Sequence, residues 1–288
     1  MTTNTSVKKI LQFPLVRMIA GFAFCLGSVI LIKKFIAQPI LYKLFSDKTV
    51  ADTIKNLISF SVLLISYFLF EKYYERRKAT EISTTHFTKE LFIGAILGFF
   101  TISLAIFILF LLGYYQIITI STANYSLKLF TLLLTAALVE DLLHRGLIVR
   151  ILENWLGTYI TLIIAMLFET QHLFNPNANL ISGIMDLFWG FTMAMLYVYT
   201  KRIWLPFFFH VGWNFAQPFY GSNLTGLDDM GTIIQSKFEG PVLLTGGKIG
   251  IEGSIITIFF LMAIGVILLY KARKENKIVP YKSERRFL

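Results

Sequence analysis

The chain has 288 residues, 56% of them hydrophobic and 15% charged, with a mean hydropathy of +0.66. A water-soluble globule carries roughly 25% charged residues, so the composition excludes one and reads as an all-α, polytopic membrane protein. The formal charge of +10 sits in short clusters beside apolar segments, such as EKYYERRK and YKARKENK; there it marks topology, so nucleic acid is excluded as a partner and membrane lipid is expected.

A helix needs about 20 residues to cross the hydrocarbon core, and eight apolar segments approach that length: 15–36, 54–71, 90–112, 127–152, 159–174, 180–199, 204–218 and 254–270. The first follows Lys8 and Lys9 and ends at Ile32-Lys33-Lys34 with no small-residue cleavage site, so it reads as an uncleaved span. It holds the only cysteine, Cys25, which excludes an internal disulfide and any multi-cysteine metal site and serves as small core filler. The fifth and seventh segments are short and call for buried or interfacial turns at their ends. No internal repeat suggests a transporter's duplicated halves. The chain divides into a three-helix region (1–126), a four-helix core (127–218), a Gly-rich extracytoplasmic or re-entrant loop (219–253), and a last helix with a basic tail (254–288). In that loop GGK is not a phosphate loop, because the first required glycine is Val242 and Ile249 follows Lys248. Ser254 is placed to cap the last helix.

Cytoplasmic loops carry the excess of Lys and Arg. Placing the N-terminus inside puts most of the 27 basic residues there, and both termini then lie in the cytoplasm of a plasma or inner membrane.

The stretch VEDLLHRGLIVR, at 139–150, sets Glu140, Asp141, His144, Arg145 and Arg150 directly after an apolar run. A charged side chain at mid-bilayer costs at least ~2.5–3.5 kcal/mol and faces the bundle interior, often with a function. Two further histidines, His172 and His210, also lie in apolar segments, whereas His86 lies in a polar loop. If the helices turn at Trp155-Leu156-Gly157, Glu140 and His172 stand equally far from the turn, both about 18–20 Å deep. The next turn, at Lys201-Arg202, puts His210 about 12 Å and Asn214 about 18 Å deep. Four polar groups from three helices thus share a layer. Glu140 with His144, Asp141 with Arg145, Phe168 with His172, and His210 with Asn214 are i,i+4 pairs.

A buried Glu140 suits the base that takes a proton from water and returns it to a leaving amine. His172 orients that water, and His210 and Asn214 offer donors to an oxyanion. No serine or cysteine is placed with a base for a covalent route. Asp141 and Arg145 read as a structural pair and Arg150 as a topology signal, while His144 is a fourth metal ligand, a group supporting the ligands or, the favoured reading, an interfacial polar residue. No cofactor is required on this reading. The same atoms leave a metal reading open, with Glu140, His172 and His210 as zinc ligands around a water, although no HExxH is present.

Glu140-Asp141-Leu142-Leu143-His144-Arg145-Gly146 resembles the EExxxR motif of the CPBP family, which includes CAAX prenyl proteases and bacteriocin-processing or immunity proteins and is also called the abortive-infection family. Phe168-Glu169-Thr170-Gln171-His172 resembles its FxxxH motif. Phe188-Trp189-Gly190 with Tyr197, Trp204-Leu205-Pro206 and His210-Val211-Gly212-Trp213-Asn214 are similar to its third and fourth regions, and GPVLLTGGKIGIEGS to a glycine-rich loop of bacterial members. The resemblance covers about 135–256. It implies an intramembrane endopeptidase acting on a peptide or lipidated protein, with Glu140 and His172 activating water and His210 and Asn214 completing the site. One departure is Asp141, where the motif usually has Glu. The alternatives are a non-proteolytic immunity or scaffold protein that keeps these residues as interhelical glue, and a proton-coupled transporter, which needs polar residues on many more helices.

Overall fold

Every apolar segment becomes a helix in the computed structural model, which describes residues 2–120, 127–175, 177–227 and 231–281. After a short α1 (Thr2–Leu11) come α2 (Pro14–Leu44), α3 (Lys48–Tyr74), α4 (Phe87–Leu111), α5 (127–156), α6 (Thr158–Phe174), α7 (Leu180–Thr200), α8 (Trp204–Phe219) and α9 (Ile255–Lys274). By length and apolarity α2, α3, α4, α7 and α9 qualify as membrane spans. The other three of the expected eight do not: α5 is interrupted by charge, while α6 and α8 are short. Phe92, Ile96, Phe100, Phe107 and Phe110 of α4 stand exposed, as lipid-facing side chains must.

Two boundaries differ from expectation. The first span continues past Lys33 and Lys34 to Leu44 through a π-helical stretch, Ile32–Ala37. The fold is also not purely helical. Tyr115–Ile120 (β1) pairs antiparallel with Ile234–Phe238 (β2), with a register shift between Ile117 and Thr119. The run Ile117-Ile118-Thr119-Ile120 is β-branched throughout, which favours a strand. The end of the basic tail, 282–288, lies outside the described residues.

The turns fall where the sequence placed them. α5 ends at Leu156 and Gly157 takes φ +78°, a conformation natural to glycine; a Cβ there would also lie 2.7 Å from the Tyr281 amide nitrogen. Lys201 closes α7 in the left-handed region. The Ser254 side chain accepts from the Ile256 amide at 3.1 Å and caps α9, and Cys25 is fully buried.

The most extensive helix pair is α8 against α4, followed by α7 against α9 and α6, and α3 against α5. The closeness of α4 and α8 comes from Gly94-Ala95-Ile96-Leu97-Gly98: a Cβ on Gly98 would sit 2.1 Å from the Phe209 carbonyl oxygen. Small residues four apart let membrane helices approach backbone to backbone.

At the end of the bundle that holds the termini, Arg150, read as a topology signal, is instead buried in an ionic cluster. Arg150 is 7% exposed and donates to Glu71 at 2.8 Å, with Glu75 at 3.6 Å. Arg17 pairs with Glu75, and Arg77 with Glu81. Burial would push both of these glutamates up, but the Arg17 and Arg150 guanidiniums hold Glu75 below the usual carboxylate range, and Arg77 and Arg150 do the same for Glu81.

Candidate active site

α5 delivers Glu140 and Asp141 at the point where its winding changes. Leu127–Glu140 is α-helical, Asp141–Val149 is π-helical, and Arg150–Leu156 is α-helical again. The cause lies in the ionic cluster at the end that holds the termini. The Gly146 carbonyl oxygen lies 2.8 Å from both the Tyr67 hydroxyl and Arg150 Nε, while the Arg150 amide reaches back to the Arg145 carbonyl. With its carbonyl taken by side chains, the helix widens by one residue per turn, as π segments do at functional sites.

That widening distributes the charges of VEDLLHRGLIVR. Asp141 is fully buried and its Oδ2 accepts from His210 Nδ1 on α8 at 3.0 Å. Arg145, 1% exposed, lies 3.5 Å from Asp141 Oδ1 and 2.8 Å from Glu169 Oε1 on α6. The expected Asp141–Arg145 pair is therefore present, but Asp141 also holds a site histidine directly. His144 is not interfacial. It is 7% exposed, bonds Glu169 through Nδ1 at 3.1 Å, and packs edge-on against Phe168. A carboxylate shared by an arginine and a histidine draws the ring inward.

Glu140 keeps about 29% of its side chain exposed, and its Oε2 lies 3.8 Å from His210 Nε2. That is beyond a direct hydrogen bond and suits a single water between them. His172 sits past the end of the α-helical part of α6, in the tighter turn Thr170–Phe174. Its Nδ1 is 3.4 Å from Asn175 Nδ2, which also reaches the Thr225 carbonyl, and its Nε2 is 3.9 Å from Glu169. Because an amide NH₂ can only donate, His172 Nδ1 accepts and Nε2 carries the proton of the neutral ring.

Glu140, His172, His210 and Asn214 line one partly open cavity of about 340 Å³, together with Asp186 and Glu252. This lies within the range of small-molecule and peptide side-chain pockets. Leu132, Leu133, Trp189 and Trp213 supply apolar walls. Trp189 packs edge-on against the His210 ring at 5.0 Å, fixing the face it does not turn to Asp141. Leu224, Thr225, Leu227 and Glu252, which follow α8, add to the lining; Glu252 is 2% exposed and its Oε2 accepts from Gln217 Nε2 at 2.9 Å. Burial pushes the Glu252 carboxyl up to about 7, against hydrogen bonding from Gln217 that lowers it.

Among the described residues no three His, Cys, Asp or Glu side chains are grouped as metal ligands. His210 Nδ1 is bonded to Asp141, which leaves its Nε2 facing Glu140 at 3.8 Å, and His172 Nε2 lies 3.9 Å from Glu169.

Sequence reasoning singled out neither Glu169, Asp186 nor Glu252. For Glu169 and Asp186 a signal existed, since each is a lone acid within an apolar segment. Glu252 follows a loop and carries no comparable mark.

Fold and site together define a polytopic helical membrane protein with an ionisable cavity between its helices. Residues 122–216 match the family model described as Type II CAAX prenyl endopeptidase Rce1-like. The matched family is one of proteases, and the resemblance to the CPBP family is borne out over that segment, about a third of the chain. No curated protein and no solved structure matches the chain.

Proposed function

We propose that the chain is an intramembrane endopeptidase that hydrolyses a peptide bond without a metal. The observation that carries this reading is the convergence of Glu140, His172, His210 and Asn214, from three helices, on one cavity within the bundle. Glu140 takes a proton from a water held between it and His210, and the resulting hydroxide attacks the scissile carbonyl carbon. The carbonyl π electrons move onto oxygen, where His210 Nε2–H and the Asn214 amide donate to the oxyanion. Asp141 behind the ring and Glu140 before it favour the imidazolium that this donation needs. His172, in its Nε2–H form, orients the water or the substrate. Collapse breaks the C–N bond, and the proton on Glu140 passes to the departing amine.

The helices alternate from the N-terminus, so the cavity and segment 219–253 lie at the end opposite the termini. With the Lys- and Arg-rich end in the cytoplasm, the cavity is reached from the extracytoplasmic side. That placement favours an exported leader or bacteriocin-type peptide over a cytoplasmic CAAX protein.

The test is mass spectrometry of peptides and membrane proteins from cells carrying wild type, Glu140→Ala or His172→Ala. Cleavage products should vanish with either variant. Unchanged function in both folded variants would sink the protease reading in favour of an immunity or scaffold role. Loss of purified activity with a chelator, restored by zinc, would overturn metal-free catalysis.

A further inference from the structure

We propose that Asp186 forms a specificity subsite of this cavity that receives a lysine or arginine side chain of the substrate; this rests on the endopeptidase reading. Asp186 belongs to α7 and is 2% exposed, yet it lines the cavity and its Oδ2 is buried with no hydrogen-bond partner. Held as a carboxylate, a group so placed costs several kcal/mol unless a cation meets it, and without one it keeps its proton. The other acids buried around it have partners: Asp141 has His210 and Arg145, Glu169 has Arg145 and His144, and Glu252 has Gln217. Asp186 has none among the described residues, and the ionisable groups that act on it, Glu252 and Glu169, are acids too.

The whole cavity shares that imbalance. Glu140, Asp186 and Glu252 line it, and among the described residues no Lys or Arg does. A ligand that ends in a free carboxylate meets repulsion, whereas an ammonium or guanidinium meets a desolvated acceptor, the setting in which charge-assisted hydrogen bonds are strongest. The rest of the lining suits the stem of such a side chain. Met185 is Asp186's neighbour in the wall, and Trp189 and Trp213 present apolar surface for methylenes and ring faces for a cation. Trp189, three residues along α7 from Asp186, packs on His210 at 5.0 Å, which sets the subsite on the same wall as that histidine.

The experiment uses the full chain in nanodiscs and three fluorescent Ala/Leu peptides. The first has one central lysine and an acetylated N-terminus, the second a central glutamine and a free N-terminus, and the third a central glutamine and an acetylated N-terminus. Binding is read by anisotropy and cleavage by mass spectrometry. Wild type should bind the lysine peptide at least ~10-fold more tightly than either glutamine peptide, and Asp186→Asn, which keeps the side chain's shape, should bring that ratio close to one. Equal affinity for the first and third peptides overturns the subsite, and this needs no variant. A preference for the second peptide over the first assigns the cation to a chain terminus and overturns the side-chain reading. A persisting lysine preference in Asp186→Asn removes Asp186 from the role. Selective binding with no peptide cleaved refutes the endopeptidase reading while leaving the subsite standing, so the two failures are distinguishable.

Discussion

Asp141 is one methylene shorter than the glutamate its motif usually carries, and the structure shows what that length does. Its Oδ2 meets His210 Nδ1 at 3.0 Å while Oδ1 stays near Arg145, so the residue orients a site histidine from behind. Asp141→Asn preserves volume but replaces an anionic acceptor with an amide that can present an NH₂ to the ring. Analogous losses behind a catalytic histidine cost up to about 10⁴ in kcat. We expect a fall of at least ~10² in kcat with KM little changed, measured by peptide cleavage, and Asp141→Glu should recover part of it; a rise in KM with kcat unchanged would assign Asp141 to substrate binding instead. Glu252 acts on stability. Its carboxyl is raised to about 7 in the folded protein, above the ordinary value of about 4.3. Its contribution is thus fully present below that ordinary value and is lost as pH rises through about 7. Melting temperature measured against Glu252→Gln should show wild type losing ground between pH 5 and 8, and parallel curves would contradict the shift. Glu75 and Glu81 work in the opposite sense: both are held low, so their contribution is present above the ordinary carboxylate range and fades only as pH falls through their lowered values.

At the scale of elements, the α4–α8 contact positions the two residues that α8 brings to the cavity, His210 and Asn214. Gly98 has no room for a side chain, with the Phe209 carbonyl oxygen 2.1 Å from where a Cβ would lie, whereas Gly27 on α2 meets nothing within 4 Å. Gly98→Leu should destabilise by about 1–3 kcal/mol through overpacking and lower cleavage with it, because α8 must move. Gly27→Leu is the control. Thermal unfolding in detergent reads both, and equal melting points would show that the helices part without cost. This contact was open to a sequence reading as a glycine pair four residues apart. The turns were legible for a related reason, since Gly157 and Lys201 fix them locally, and the hairpin arithmetic starts from those turns. The arithmetic does not know that α5 switches to π winding after Glu140 or that α6 tightens at Thr170. Both places are met by distant partners, Tyr67 at the Gly146 carbonyl and Thr225, through Asn175, after the His172 turn. Arg150 and His144 escaped for the same reason. Near the end of an apolar run each reads as interfacial, and only Glu71 and Glu169, from other helices, turn them inward.

For the molecule as a whole, the two ends of the bundle differ in what they bury. The end with the termini packs its acids against Arg17, Arg77 and Arg150, and the other encloses acids that lack such partners around the cavity. Ion pairing does not cancel the topological signal, because orientation follows Lys and Arg rather than net charge. Lys72, Lys89, Lys271 and Lys274 remain at the first end after the paired arginines are set aside. The cavity should therefore face away from the cytoplasm, and this decides which substrates can reach Glu140. Lys248 and Lys274 are exposed at opposite ends, and the one native cysteine, Cys25, is buried and gives little background. A membrane-impermeant maleimide should label Lys248→Cys in intact cells and Lys274→Cys only after permeabilisation. The reverse pattern would turn the cavity toward the cytoplasm, where a lipidated CAAX protein becomes the favoured substrate and an exported leader peptide is ruled out.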